Sequence, residues 1–247
     1  MIKKITDPDT LYNTLNKGAP SVYTEKIRSL ADAYGIGNEF CTFYTQTGGT
    51  VISNYYNSAV AARCGVRPGD RLAELMEFLM CGMFRKIIMP LEIFSATNVD
   101  ANVEKLILMK YDSGKKTGAV PGKETIRTDF SINDIYEIAS DGFDIDFNNW
   151  YTDTNHMLRH GISKLYALEN NTCAVKMFSS SGISYLSYIC TRKEERGKGL
   201  ATRLVGSICA EEALAGNSTY IFCAEELCGF YENIGFVRFE EAVEITI

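Results

Sequence analysis

Apolar residues recur along this chain in two rhythms. Leu72, Leu75, Met76, Leu79 and Met80 stand at i, i+3, i+4, i+7 and i+8, a stripe that predicts a helix, with Asp70 placed to cap its start. Before it, "DTLYNTLN" and "VYTEKIRSLADAYG" predict short helices. "EFCTFYTQ" and "TVISNYYNSAVAAR" predict two strands parted by a turn at Gly48-Gly49. After it, "RKIIMPLEIF" and "VEKLILMKY" read as two further buried strands. Helix, strand, strand, helix, strand is the order of an α/β or α+β sandwich.

The pattern then breaks. In "YDSGKKTGAVPGKETIRTD", Tyr111 to Asp129, glycine, lysine, proline and hydroxyl residues replace the apolar periodicity, which predicts a linker or a long exposed hairpin. A domain boundary is therefore expected near residue 125, giving domains 1–125 and 126–247. Downstream, "INDIYEIASDGF" and "DFNNWYTDTNHMLRHG" read as helices, and "SKLYALEN" and "NTCAVKMFSSSG" as a hairpin turning at Asn170-Asn171. "ISYLSYICT" gives a third strand. A helix with Leu200, Leu204, Ile208 and Cys209 on one face should end at Gly216-Asn217. "STYIFCA", "ELCGFYENIG" and "FVRFEEAVEITI" add strand, helix and strand. The expected class is α/β (α+β mixed sheet). No exact repeat is present, yet both halves share a succession of hairpin, helix and strand.

Composition narrows the partners. Hydrophobic residues make up 46% and charged residues 23% of 247, ordinary for a globular protein. The net charge of -6 gives no bulk attraction to nucleic acid or to an anionic membrane, so any anion must be held by a local site. No apolar run approaches the roughly 20 residues that span a bilayer. The eight cysteines stand singly within apolar runs, and "MIKKITDPDT" has no apolar core of a signal peptide. They are expected to be reduced core residues of a cytoplasmic protein.

The chemistry concentrates in "SYICTRKEERGKGLATRLV", Ser187 to Val205, where a strand hands over to a helix through Arg196-Gly197-Lys198-Gly199. A helix start leaves N–H groups unpaired at the positive end of the dipole, which suits an anion. The pattern is not a P-loop, because Gly199 follows Lys198 and no glycine lies five residues before Gly197. It is not the dinucleotide fingerprint either, since Thr202 stands where a third glycine belongs. What remains is Arg/Gln-x-x-Gly-x-Gly/Ala, met by Arg196, Gly199 and Ala201.

In this loop the sequence resembles the GNAT superfamily of N-acetyltransferases, and "FYENIGF", Phe230 to Phe236, is similar to the ending that follows that family's fifth strand. The resemblance covers about residues 130–247. It implies a C-terminal GNAT acyl-CoA N-acyltransferase fold, preceded by a smaller α/β domain that is either unrelated or a degenerate GNAT-like one. It implies acetyl-CoA (coenzyme A) as acyl donor, without a metal. Arg196, Gly197, Lys198, Gly199, Leu200 and Ala201 would hold its pyrophosphate. Backbone N–H groups of Ile189, Cys190 and Thr191 would hold the pantetheine arm and polarise the thioester carbonyl. Tyr231 would be the general acid toward the departing thiolate, with direct attack by a primary amine.

The sequence departs from that pattern in two places. Ala224 stands where many members carry a cofactor-binding asparagine, and "YLSYICT" offers no carboxylate where many carry a glutamate base. Candidate bases are Glu225, Glu226, Asp144, Asp146, His156, His160 or a water chain. His156 and His160 have the spacing of paired zinc ligands, but no third ligand accompanies them, and surface or capping roles are favoured. Trp150 and Tyr151 are candidates to line an acceptor pocket or to pack. The acceptor is expected to be a small-molecule or peptide amine bound between the halves. The N-terminal half would complete that cleft or a homodimer surface. A non-catalytic acyl-CoA-binding regulatory module is the alternative.

Overall fold

The computed structural model describes residues 1–47, 49–64, 72–82, 84–95, 102–114, 126, 128 and 130–247. The expected boundary near residue 125, the cap residue Asp70 and most of the Tyr111–Asp129 segment lie outside them. Two compact units are present: Met1–Leu108 with Phe239–Ile247, and Met109–Arg238.

The first unit runs β1 (Ile2–Lys4), α1 (Pro8–Leu15), α2 (Val22–Tyr34), β2 (Cys41–Gln46), β3 (Thr50–Tyr55), β4 (Ser58–Arg63), α3 (Leu72–Cys81), β5 (Lys86–Pro90) and α4 (Leu91–Ser95). Strand β6 (Val103–Tyr111) starts in this unit and enters the second at Met109. Strands β1 to β4 are antiparallel neighbours, whereas β4 and β5 are parallel, which requires the α3 crossover. Local chemistry sets the helix starts. Ser21 and Thr24 bond reciprocally at the head of α2, and Asp7 accepts from the Thr10 N–H ahead of Pro8 in α1.

Two strand readings change here, and one strand is new. "TVISNYYNSAVAAR" is two strands, β3 and β4, reversing at Tyr56-Asn57, where φ is 44° and 66°. Both central residues are left-handed, as a tight hairpin turn demands. "RKIIMPLEIF" is a strand only to Pro90, after which Leu91–Ser95 is helical. The short strand β1, paired with β2, carries no pattern long enough to announce it.

The second unit continues with α5 (Ile132–Ala139), α6 (Phe147–Arg159), β7 (Lys164–Leu168), β8 (Thr172–Ser180), β9 (Ile183–Thr191), α7 (Leu200–Leu214), β10 (Ser218–Cys223), α8 (Cys228–Ile234) and the start of β11 (Phe236–Thr246). It repeats the first unit's order of two helices, three strands, helix, strand, helix. Strands β7, β8 and β9 are antiparallel and β9 and β10 parallel, again across a helix. The β7–β8 hairpin turns one residue earlier than expected, at Glu169-Asn170, with φ of 56° and 57°. From Phe239 on, β11 belongs to the first unit and pairs antiparallel with β5, Ala242 opposite Pro90 through Thr246 opposite Lys86. Ala242, Val243 and Ile245 are fully buried there. Seven cysteines are buried free thiols; Cys81 is exposed, correcting its placement in the core.

One buried charge ties α7 to β8. The Glu212 side chain is 3% exposed and accepts from Lys176 Nζ at 2.5 Å, Ser179 Oγ at 3.2 Å and Asn217 Nδ2 at 3.0 Å. Burial alone would raise its pKa, but the Lys176 ammonium, with Asn217 and Ser179, overcomes this and holds it below the ordinary 4.5. Glu212→Ala strands the Lys176 charge and is expected to cost about 3 kcal/mol in urea unfolding at neutral pH. A carboxylate with a depressed folded pKa stabilises above its unfolded value and loses that contribution as pH falls through the folded one. The stability gap between wild type and variant should therefore shrink below pH 4.5.

Candidate active site

The site begins as a failure of strand pairing. Strands β9 and β10 pair in parallel only from Ile183–Ser218 to Tyr185–Tyr220, although β9 continues to Thr191 and β10 to Cys223. Within β9, Tyr188 and Ile189 together face Ala174, because Ser187 pairs with Val175 and Cys190 with Cys173. This is a bulge, and Tyr188 takes φ 49° in it. A bulky residue held left-handed costs about 1–3 kcal/mol, a strain that marks functional segments.

Past the end of the β9–β10 ladder, a cleft of about 730 Å³ lies against the far end of β9. Its walls are Gly142 and Phe143 from the α5–α6 link, Ile189–Thr191 of β9, the loop from Glu195 to Thr202, and Leu227, Phe230 and Tyr231 around α8. In the loop, Gly197 (φ 79°) and Gly199 (φ 75°) are left-handed, and Gly199 opens α7 with no side-chain cap, so the first N–H groups of the helix are left for another partner. Gly142 is needed for closeness. A β-carbon there would stand 2.9 Å from Cys190 Sγ.

The comparisons agree with this geometry. Residues 161–244 match the model of the FR47-like protein family. No curated protein matches the sequence. Among solved structures, a tandem GNAT protein from the clavulanic acid biosynthesis pathway superposes with a TM-score of 0.62 at 12% identity, covering 100% of this chain and 98% of that one. A GNAT-family acetyltransferase from Colwellia psychrerythraea gives 0.63 at 10% identity, covering 100% and 99%. A GCN5-related N-acetyltransferase from Kribbella flavida gives 0.62 at 13%, covering 91% and 93%. The fold is a GNAT fold.

Nine of the ten site residues expected from the GNAT resemblance line this one cleft: Ile189, Cys190, Thr191, Arg196, Gly197, Gly199, Leu200, Ala201 and Tyr231. The Lys198 side chain instead reaches Glu195 Oε2 at 2.7 Å. Arg196 lines the cleft with its guanidinium committed, Nε donating to Thr191 O at 3.0 Å and Nη2 to Asp141 O at 3.1 Å. The Lys193 N–H adds a bond to Asp141 Oδ2 at 3.1 Å. The loop is thus lashed to the end of β9 and to the α5–α6 link.

Tyr231 is 8% exposed, its ring 5.0 Å from Phe230 and 5.8 Å from Phe236. Burial raises its pKa, and the neighbouring Cys223 and Tyr185 raise it further, so the phenol is neutral across the neutral range. Burial and the adjacent Cys228 push Cys223 up to about 12; the two sulfurs are 3.9 Å apart.

None of the expected bases lines the cleft. Glu225 is bound by the Arg238 guanidinium, which lowers its pKa. Asp146 caps α6, accepting from the Asn149 N–H at 2.9 Å. Asp144 and Glu226 are exposed. His156 and His160 stack at 4.2 Å near the end of α6, and among the described residues no group of three His, Cys, Asp or Glu could hold a metal. Trp150 packs in the core under α5 and α6, whereas Tyr151 is 38% exposed. Gly142, Phe143, Leu227 and Phe230 also line the cleft, with no motif in the sequence to mark them. Beside the cleft, burial raises the Tyr188 pKa, and the Asp153 carboxylate raises it further.

The Gly142–Cys190 approach gives a direct test. Gly142→Ala is expected to cost about 1–3 kcal/mol in thermal unfolding, as overpacking does, and Cys190→Ala in the same chain should recover most of it by removing the sulfur.

Proposed function

We propose that this protein is an acetyl-CoA-dependent N-acetyltransferase acting on a primary amine by direct attack. The observation that carries the reading is the parting of β9 from β10 beside a helix that opens, uncapped, on two left-handed glycines. Backbone N–H groups from Gly197 to Ala201 would receive the pyrophosphate, as N–H groups at helix starts receive anions. Ile189 to Thr191 would lie along the pantetheine arm, and a backbone N–H there would draw electron density from the thioester carbonyl.

In the transfer the amine nitrogen bonds to the carbonyl carbon and the carbon–sulfur bond breaks. Tyr231, neutral and facing the cleft, gives its proton to the leaving sulfur. The nitrogen loses a proton to water, and the Tyr231 phenolate is reprotonated from solvent. The second reading, a module that binds acyl-CoA without transfer, is favoured by one fact. Glu195, the one carboxylate among the described lining residues, is already paired with Lys198.

Calorimetric titration of acetyl-CoA should show one site in wild type and none in Gly199→Arg, whose side chain fills the pyrophosphate position. Tyr231→Phe should bind acetyl-CoA as wild type does and lose about 100-fold in kcat with a reactive amine. That ratio should stay constant across neutral pH, because the raised pKa keeps the phenol protonated there. No binding by folded wild type sinks both readings; binding without turnover of any amine leaves the module.

A further inference from the structure

We infer that the acceptor is a primary amine carried on an aromatic or similarly flat apolar body, received against Phe143, whose ring packs on Tyr188. This rests on the transferase reading. A continuous file of rings leads away from the cleft: Phe143 meets Tyr188 at 5.4 Å, Tyr188 meets Trp150 at 5.9 Å, Trp150 meets Tyr136 at 5.9 Å, and Tyr136 meets Phe147 at 4.8 Å. These are the separations at which aromatic rings attract beyond simple burial.

The file is open to solvent where a ligand could reach it. On the cleft, Phe143 is 40%, Leu227 46% and Phe230 38% exposed. Single exposed apolar residues are ordinary, but several gathered at one cleft mouth indicate an apolar partner. The bulge that strains Tyr188 is also what aims its ring at Phe143, next to Ile189 on the cleft wall.

Charge argues the same way. A polyamine, an aminoglycoside or a lysine-rich peptide needs several anionic partners, and among the described lining residues the one carboxylate is Glu195, already held by Lys198 at 2.7 Å.

The test uses the full-length protein with acetyl-CoA and four probe amines: 2-phenylethylamine, tryptamine, spermidine and kanamycin. The aryl amines should exceed the polycations by at least about tenfold in kcat/KM. Phe143→Ala should raise the aryl-amine KM about tenfold with the acetyl-CoA Kd unchanged, and Phe143→Tyr should restore it. With acetyl-CoA bound, 2-phenylethylamine should also change the emission of Trp150, the sole tryptophan, which touches Tyr188. A preference for spermidine or kanamycin overturns the inference and leaves the transferase intact. So does a Phe143→Ala variant that loses acetyl-CoA while its amine KM holds, because Phe143 would then serve the donor. Acetyl-CoA binding with no transfer to any amine overturns the transferase reading and this inference with it.

Discussion

The constraint on which the site depends is that β9 and β10 cannot stay paired. A strand carries hydrogen-bonding groups along both edges, and buried ones must find partners. On one edge β9 keeps its ladder to β8 as far as Thr191 opposite Thr172. On the other, the ladder to β10 ends at Tyr185–Tyr220. The bulge at Tyr188 and Ile189 lies three residues past the end of that ladder, where it turns the strand and raises its twist. On the transferase reading, the stretch of β9 past that ladder would receive an extended chain with amides of its own, as in recognition by strand addition. The glycine loop and α8 gain meaning from it, because they close the two ends of the same gap.

Parts of this were readable from residue types because a residue type was forced. Left-handed backbone in a loop calls for glycine, so Gly197 and Gly199 announce their geometry, and the apolar stripe of α7 fixes where the helix begins. The β3–β4 reversal was hidden for the converse reason. Tyr56 occupies a left-handed position without the glycine that signals one, and the run around it has no glycine or proline to break it. The helix after Pro90 was hidden because a short apolar run has no readable period. The ring file joins α5, α6 and β9, so no local window contains it. Spacing could show that Arg196 precedes the glycines, but not that its side chain is spent on Asp141, 55 residues away.

The two units carry one plan with unequal outcomes. Each has three antiparallel strands, a crossover helix and a fourth strand that pairs in parallel over only its first three residues, Ser58–Lys86 to Val60–Ile88 in one and Ile183–Ser218 to Tyr185–Tyr220 in the other. The repeat therefore lies in register and order rather than in residues. Such a repeat survives loss of sequence likeness, since burial and hydrogen bonding constrain which positions face inward more than which side chains fill them. The last strand shows the same economy: Phe239–Ile247 is the far end of the chain, yet its apolar residues finish the sheet of the first unit.

On the transferase reading, the commitments of Arg196 and Lys198 bear on how an anion would be held by a protein of net charge -6. If side-chain charge dominated, these two residues would be poised toward the cleft, and one is braced to carbonyls while the other is neutralised by Glu195. What faces the cleft without a competitor is the uncapped start of α7, whose dipole and N–H groups need no rearrangement to receive an oxygen. Arg196 then contributes chiefly by position. By holding Thr191 O and Asp141 O it fixes the end of β9 against the α5–α6 link, the segment that bears Gly142 and Phe143. On the transferase reading, donor and acceptor sides of the cleft are set by one guanidinium, so that replacing it with lysine, which keeps the charge and loses the fork, should disturb both.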